Sequence, residues 1–374
     1  MKILIDLRSI NYGRSGGIEN YAYFVINSLL SYNIELILDV SPFSKYFFIN
    51  KYGSFKNIKI IYDPILNILN TVVQKVFPGR YKALGRRKSW AKKAKADFVF
   101  LPSHLDKYQH IHLPGIIVMH SYLPDYKDKI KRIISFNAKV ANILITSWNY
   151  PYQEFIKTFP QYKSKWFLLH YIASHNVDEN KQKVLKGLPN NYLLYVSFFS
   201  ERKNQLRLVE AYYNAKRKNS KIPKLVLAGG DNSIYKIKVK ELIKKLNFSN
   251  NVILYDYLPD GQISFLYHNC LAVIAPTLWE AASGAVLEGT YCGKPVVCSD
   301  VPPLKDFANY FGLEMIFFNP YDVNEIEEKI LMLYNNYERI KILGNANKEK
   351  LRKYNDTYFA RTLLDIIRSR NSDI

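Results

Sequence analysis

Two carboxylates, Glu280 and Glu288, stand with seven residues between them inside the segment LWEAASGAVLEGTYCGKPVVCSD, residues 278–300. An apolar run at 271–276 precedes them and reads as a strand buried on both faces. Four small residues, Ala281, Ala282, Ser283 and Gly284, then lead into an apolar helix start, and a second apolar strand is expected at 295–299. A strand that feeds a helix through small residues presents unpaired backbone N–H groups. Those groups and the helix dipole attract anions, phosphate above all. A carboxylate on either side of such a site suits the hydroxyls of a ribose and a sugar. On this segment alone, an ordinary strand–helix–strand crossover with two solvated glutamates is an equal reading.

Other candidates lie at the ends of other apolar runs. The first strand closes on YGRSGG, residues 12–17, where Gly16 and Gly17 let the backbone approach a bound phosphate. The spacing of Gly13, Gly16 and Gly17 is not that of the dinucleotide fingerprint, and no acidic residue follows where a ribose would need it. The loop YVSFFSERKN, residues 195–204, follows another apolar run and closes on Arg202, Lys203 and Asn204. His120 ends the run 116–119, and Leu258, Pro259 and Asp260 open a helix expected at 261–269. His110 and His112 have a ligand spacing but no third ligand nearby, so no metal site is expected. A hydrolytic carboxylate dyad is disfavoured. Such pairs sit about 5 Å or about 6.5–9.5 Å apart, whereas eight residues of continuous helix would separate Glu280 and Glu288 by about 12 Å.

Positioning these groups requires strand ends. Short, continuously apolar, β-branched runs predict strands at 2–7, 34–40, 58–62, 97–101, 115–120, 142–147 and 166–170, then at 192–197, 224–228, 251–255, 271–276, 295–299 and 315–318. Amphipathic segments at 205–218, 235–246 and 323–334 predict helices between them, and a further helix is expected at 18–30 after the first loop. Strand–helix alternation in both halves argues for an α/β chain of two doubly wound domains, with the polar stretch 176–191 as linker. A length of 374 residues and 48% hydrophobic content suffice for two cores. Asp6 and Arg8 interrupt the first apolar run, which argues against a secretory signal, and no run of apolar residues is long enough to span a bilayer. Three cysteines in apolar surroundings (Cys270, Cys292, Cys298) favour reduced, buried thiols in a cytosolic protein.

The net charge of +21 implies an anionic partner. No nucleic-acid-binding signature is present, so none is expected. An anionic membrane surface fits better. Ile65, Leu66, Ile68, Leu69, Val72, Val73, Val76 and Phe77 recur at helical spacing, and residues 78–96 then carry eight basic residues, no acidic one, and Trp90. An apolar stripe beside Lys, Arg and Trp suits a helix lying in the lipid interface. A core stripe followed by a solvated basic helix is the plainer reading.

With these residues in view, the segment 278–300 resembles the E-x7-E region of the retaining glycosyltransferases of family GT4. Val286-Leu287-Glu288 and Gly293-Lys294-Pro295-Val296-Val297-Cys298-Ser299-Asp300 follow the family form, as do Gly16-Gly17-Ile18 and Lys203-Asn204. The chain departs from it at Ala281, Ala282, Ser283 and Ala285, at Ser121 where an Asp often follows the His, and at Phe198 where an Arg is common. The resemblance implies a GT-B fold: two Rossmann-like doubly wound domains facing each other across a cleft. Residues 1–178 would form the acceptor and membrane side, residues 190–355 the donor side, and residues 356–374 a helix packing back on the first domain. It implies a nucleotide-sugar donor, UDP- or GDP-linked and bound as a substrate, with no cofactor and no metal. Gly16, Gly17, Arg202, Lys203, Leu258, Ser283, Gly284 and Glu288 would bind the donor, with Glu288 on the ribose. Glu280 and His120 would form the catalytic sugar site. The acceptor would be a growing, lipid-linked bacterial surface glycan, and the enzyme would work on the cytoplasmic face of the membrane. The departures leave two alternatives: another GT-B sugar-nucleotide enzyme such as an epimerase, or a non-catalytic subunit that keeps the fold.

Overall fold

A computed structural model describes residues 1–10, 17–41, 44–62, 95–103, 113–120, 128–171, 177–230, 234–280 and 283–371. The chain forms two compact units, Met1–Tyr171 with Asp356–Ile374, and Ile172–Asn355. Gly16, the segment 63–94 with its apolar and basic stripes, His110, His112, Ser121, Ala281 and Ala282 lie outside the described residues.

Each predicted strand forms, trimmed by a residue or two at some ends. In the first unit these are β1 (Lys2–Leu7), β2 (Glu35–Val40), β3 (Ile58–Ile61), β4 (Phe98–Leu101), β5 (Gly115–Val118), β6 (Ile143–Thr146) and β7 (Trp166–Leu168). They pair in the order β3-β2-β1-β4-β5-β6-β7, every ladder parallel. Successive side chains point to opposite faces, and the core divides accordingly. Ile3, Ile5 and Leu7 pack with the helix Gly17–Leu30 and with Phe359, Leu363 and Ile367 of the last helix, Asp356–Asn371. Leu4 joins Val99, Ile117, Ile134 and Phe155 on the other face. A sheet covered on both sides needs strands that are apolar throughout, which is why these runs do not alternate. The last helix is fixed to the first by rings: Phe359 meets Phe24 edge-on at 4.9 Å and Tyr21 at 6.2 Å.

The second unit holds β8 (Tyr192–Val196), β9 (Lys224–Ala228), β10 (Val252–Tyr255), β11 (Ala272–Ala275), β12 (Val296–Ser299) and β13 (Ile316–Phe318). Their order is β10-β9-β8-β11-β12-β13, again wholly parallel. The chain winds outward from β8 in one direction, then from β11 in the other. The β8/β11 boundary is thus the switch point, outside whose carboxyl ends ligands bind in open α/β sheets.

The stretch 176–191, expected as a linker, lies with the second unit. Val177 is buried, the Ser264 hydroxyl donates to Asp178 O at 2.8 Å, and Lys183 N donates to Gly261 O at 2.8 Å. Its polar residues face outward while its backbone is tied to the helix Asp260–Asn269. All three cysteines are free and buried. No helix among the described residues is long and apolar enough to cross a membrane.

Candidate functional site

Two loops meet at the switch point of the second unit, one after β8 and one after β11. Asn204 joins them. It adopts a left-handed backbone (φ 61°), which asparagine tolerates better than most residues. Its buried side-chain amide donates to Pro276 O at 3.0 Å and to Pro320 O at 2.7 Å. Leu278 N donates to Arg202 O at 2.8 Å, and the buried Tyr195 hydroxyl donates to Lys203 O at 3.2 Å. The backbone around Arg202 and Lys203 is therefore held from three sides.

Their charges converge on one carboxylate. Glu280, almost fully buried, accepts from Lys203 Nζ, from Arg202 Nη1 at 3.0 Å and from the Thr277 hydroxyl at 3.2 Å. Arg202 Nη1 also donates to Trp279 O at 3.1 Å. Lys203 is mostly covered, whereas the Arg202 side chain is 49% exposed. Two cations against one carboxylate leave the cluster with a net positive charge. Burial raises the Tyr195 phenol well above its ordinary pKa, and the neighbouring Glu280 charge adds to that, so Tyr195 stays a neutral donor.

Three residues beyond Glu280, Ser283 caps the helix Gly284–Tyr291 with no side-chain capping bond, and its buried hydroxyl has no hydrogen-bond partner. A Cβ at Gly284 would meet nothing within 4 Å, so the first turn opens onto free space. Such a helix start carries roughly half a positive charge and orphan N–H groups. Glu288 sits one turn further along, beside the buried phenol of Tyr267. Burial first, and the Glu288 charge second, push that phenol's pKa far up. Gly289 lets this helix lie on the sheet, since a Cβ there would stand 2.7 Å from Val273 Cγ2.

The structure thus brings Arg202, Lys203 and Glu280 into one cluster, and places Ser283, Gly284 and Glu288 on the helix that follows. Leu258 lies between β10 and the helix Asp260–Asn269 in the same unit. Gly17 and His120 belong to the first unit. His120 follows β5, its Nε2 2.7 Å from Pro102 O and its ring edge-on to Tyr21 at 5.0 Å. Burial lowers its pKa, the contact with Pro102 opposing this in part.

Thr277 escaped the sequence reading, although a hydroxyl directly after an apolar strand and three residues before Glu280 was a visible signal. So did a charge clamp at the ends of β1 and β2. Arg8 binds Asp6 through Nε at 2.9 Å and Nη2 at 2.6 Å, and its Nε lies 3.6 Å from Asp39. No local spacing links Asp39 to the other two; the parallel register of β1 and β2 does.

Two wholly parallel, doubly wound sheets define an α/β protein, and the second sheet carries cations and a helix start at its switch point, where ligands bind in open α/β sheets. Residues 176–350 match the family described as "Glycosyl transferases group 1", and the two units have the α/β GT-B fold. It is 24% identical over 269 residues to the O-antigen chain mannosyltransferase B of Escherichia coli, covering 66% of this chain and 68% of that one. It is 26% identical over 184 residues to the serotype-specific mannosyltransferase WbdA of Escherichia coli, covering 46% and 22%. An uncharacterized glycosyltransferase of Methanocaldococcus jannaschii is 34% identical over 127 residues, 33% and 35% of the two chains. The chain thus spans about two thirds of one of these relatives and about a third or less of the others. Among solved structures, Anabaena Alr3699/HepE in complex with UDP and glucose superposes with a TM-score of 0.71 at 16% identity over 99% of this chain and 100% of that one. TarM superposes with a TM-score of 0.71 at 14% identity over 98% of both.

Proposed function

We propose that this protein moves a hexose, with retention of configuration and without a metal, from a nucleotide-sugar donor to a growing, lipid-linked bacterial surface glycan. The observation that carries the donor half is the cluster of Lys203 and Arg202 beside the open first turn of the 284–291 helix. Negative charge builds on the departing diphosphate, and donors and cations already in place lower the barrier without reorganising. Lys203, Arg202 and the N–H groups at Ser283 and Gly284 take that role. Glu280 holds the two cations and faces the transferred sugar, and Glu288 takes the ribose hydroxyls; Gly16, Gly17 and His120 keep the donor and sugar roles that the family resemblance implies. The depressed pKa of His120 keeps it neutral near pH 7, able to hydrogen-bond a sugar hydroxyl. The donor is UDP- or GDP-linked. The relatives named as mannosyltransferases make mannose the first sugar to test, and a solved neighbour carries UDP and glucose.

The acceptor half rests on those relatives' O-antigen and serotype names and on the sequence of residues 64–95. At roughly 1 kcal/mol per basic residue near an anionic surface, half of the eight basic residues at 78–96 would hold the protein there loosely. Work at the cytoplasmic face of the membrane follows from that reading. Incubation with a panel of UDP- and GDP-linked hexoses tests the donor half. Slow donor hydrolysis with at least one sugar is expected, weakened by Lys203→Ala and by Glu288→Gln. No turnover of any donor, with both variants binding nucleotide like wild type, refutes it. Sedimentation with anionic and with neutral liposomes tests the membrane half, and equal, negligible binding to both refutes it.

A further inference from the structure

Tyr21 carries no part of the transfer proposed above, but its ring lies against His120. It sits in the helix Gly17–Leu30 and is 1% exposed. The imidazole meets it edge-on, with ring centroids 5.0 Å apart and planes at 86°. The same ring meets Tyr171 at 4.8 Å and 75°, and Phe359 of the last helix at 6.2 Å and 83°. Phe24, on the same helix as Tyr21, touches both of those neighbours, at 4.8 Å and 4.9 Å. Four rings from the first helix, the segment after β7 and the last helix thus lock edge to face, a packing that fixes tilt as well as distance.

A hydrogen bond holds the imidazole as well, with Nε2 lying 2.7 Å from Pro102 O. A carbonyl oxygen only accepts, so Nε2 carries a proton, and in the neutral ring Nδ1 is then the acceptor. In the other tautomer Nε2 would face the carbonyl lone pair to lone pair. The hydrogen bond alone leaves the imidazole able to tilt about it. A ring packed edge-on against the imidazole removes that freedom. The Tyr21 hydroxyl approaches that of Ser147 without closing a hydrogen bond, and burial keeps the phenol neutral. What this position supplies is therefore the ring rather than the hydroxyl.

We propose that Tyr21 is a positioning residue for His120. Braced by Tyr171 and Phe359, its ring holds the imidazole in the Nε2–H form against Pro102 O, which makes Nδ1 the nitrogen that accepts from the transferred sugar. This role rests on the sugar-site part proposed for His120 and names what sets that side chain. Through Phe359 it also gives the last helix an indirect part in the chemistry, beyond covering one face of the first sheet.

Two readouts on the full chain test it. Nitrogen NMR of protein carrying isotope-labelled histidine, with the His120 signals assigned by their loss in His120→Asn, should show the Nε2–H tautomer in wild type and in Tyr21→Phe. Tyr21→Leu should show a mixture of tautomers. Turnover of the UDP- or GDP-linked hexose that wild type hydrolyses best should fall about tenfold in Tyr21→Leu, the upper end of what one ring pair stabilises, and stay within about twofold in Tyr21→Phe. UDP and GDP affinity should be unchanged in both. On a His120→Ala background Tyr21→Leu should cost nothing further, because effects routed through one residue do not add. Phe359→Leu should act in the same direction more weakly, and it takes over the test where Tyr21→Leu does not fold. A single Nε2–H tautomer or wild-type turnover in Tyr21→Leu overturns the proposal. A multiplicative loss on the His120→Ala background also overturns it, since that marks general damage to the unit. A loss in Tyr21→Phe hands the role to the hydroxyl and overturns it too. A wild type that hydrolyses no donor sinks the transfer reading instead, and the tautomer measurement then decides the hold of Tyr21 on His120 by itself.

Discussion

Glu280→Gln separates the two parts assigned to this carboxylate, because its effects on stability and on nucleotide affinity have opposite signs. The Glu280 side chain is 6% exposed and accepts from Lys203, Arg202 and Thr277. Glutamine keeps the shape and removes the charge. Breaking a buried ion pair by changing one partner costs about 3–5 kcal/mol. Water takes over part of the half-exposed Arg202, which brings the expected loss to about 2–3 kcal/mol. At about 2–4 °C per kcal/mol for a unit the size of residues 172–355, melting should fall by about 5–10 °C. Nucleotide binding should move the other way. In the wild type an incoming phosphate competes with Glu280 for Lys203; in the variant it meets an unpaired ammonium. Recovering about 1 kcal/mol of charge-assisted hydrogen bonding tightens UDP or GDP about fivefold. The nucleotide sugar should gain less, since Glu280 is the proposed sugar partner, and transfer should fall. Thermal melts with and without nucleotide, together with calorimetry, read all three. A melting point within a degree of wild type combined with weaker nucleotide binding would refute the reasoning.

Chelation with EDTA should leave donor hydrolysis unchanged, since the proposed mechanism assigns the diphosphate charge to cationic side chains and backbone N–H groups and to no metal; a loss restored by a divalent cation counts against that mechanism. The pKa of His120 is lowered in the folded state from 6.5, so the unfolded chain takes up the proton first as pH falls. Its contribution to stability is present above about pH 6.5 and is lost as pH drops toward the folded-state pKa; urea midpoints between pH 8 and 5 should decline less in His120→Asn than in wild type. Gly344→Ala forces a Cβ to within 2.6 Å of Gly293 O and 2.8 Å of Pro295 N. It should cost about 1–3 kcal/mol, and an unchanged denaturation midpoint would contradict that packing.

Much of the fold was written in the order of residues. Runs such as Lys2–Leu7 and Lys224–Ala228 are apolar without alternation, and only a parallel sheet covered on both faces asks for that. The helix Gln205–Lys218 starts and stops where its periodicity does. Glu280, Ser283, Gly284 and Glu288 stand out as candidates in the sequence because a strand end followed by small residues marks where backbone N–H groups can open to a ligand, whereas Arg202 and Lys203 stand out through the Lys203-Asn204 match to the family form. Stretch 176–191 misled, since polar composition reports exposed side chains and is silent about a backbone tied to a neighbouring helix.

What pairs with what belonged to the tertiary structure. Glu280 and Lys203 lie 77 residues apart, and they meet because β11 returns beside β8 while β9 and β10 leave on the other side. The same winding carries Asp39 to Arg8. Local periodicity reports which face of an element is buried. The order of strands is set by long-range packing and crossover handedness, and that order turned separate candidates into one charged cluster.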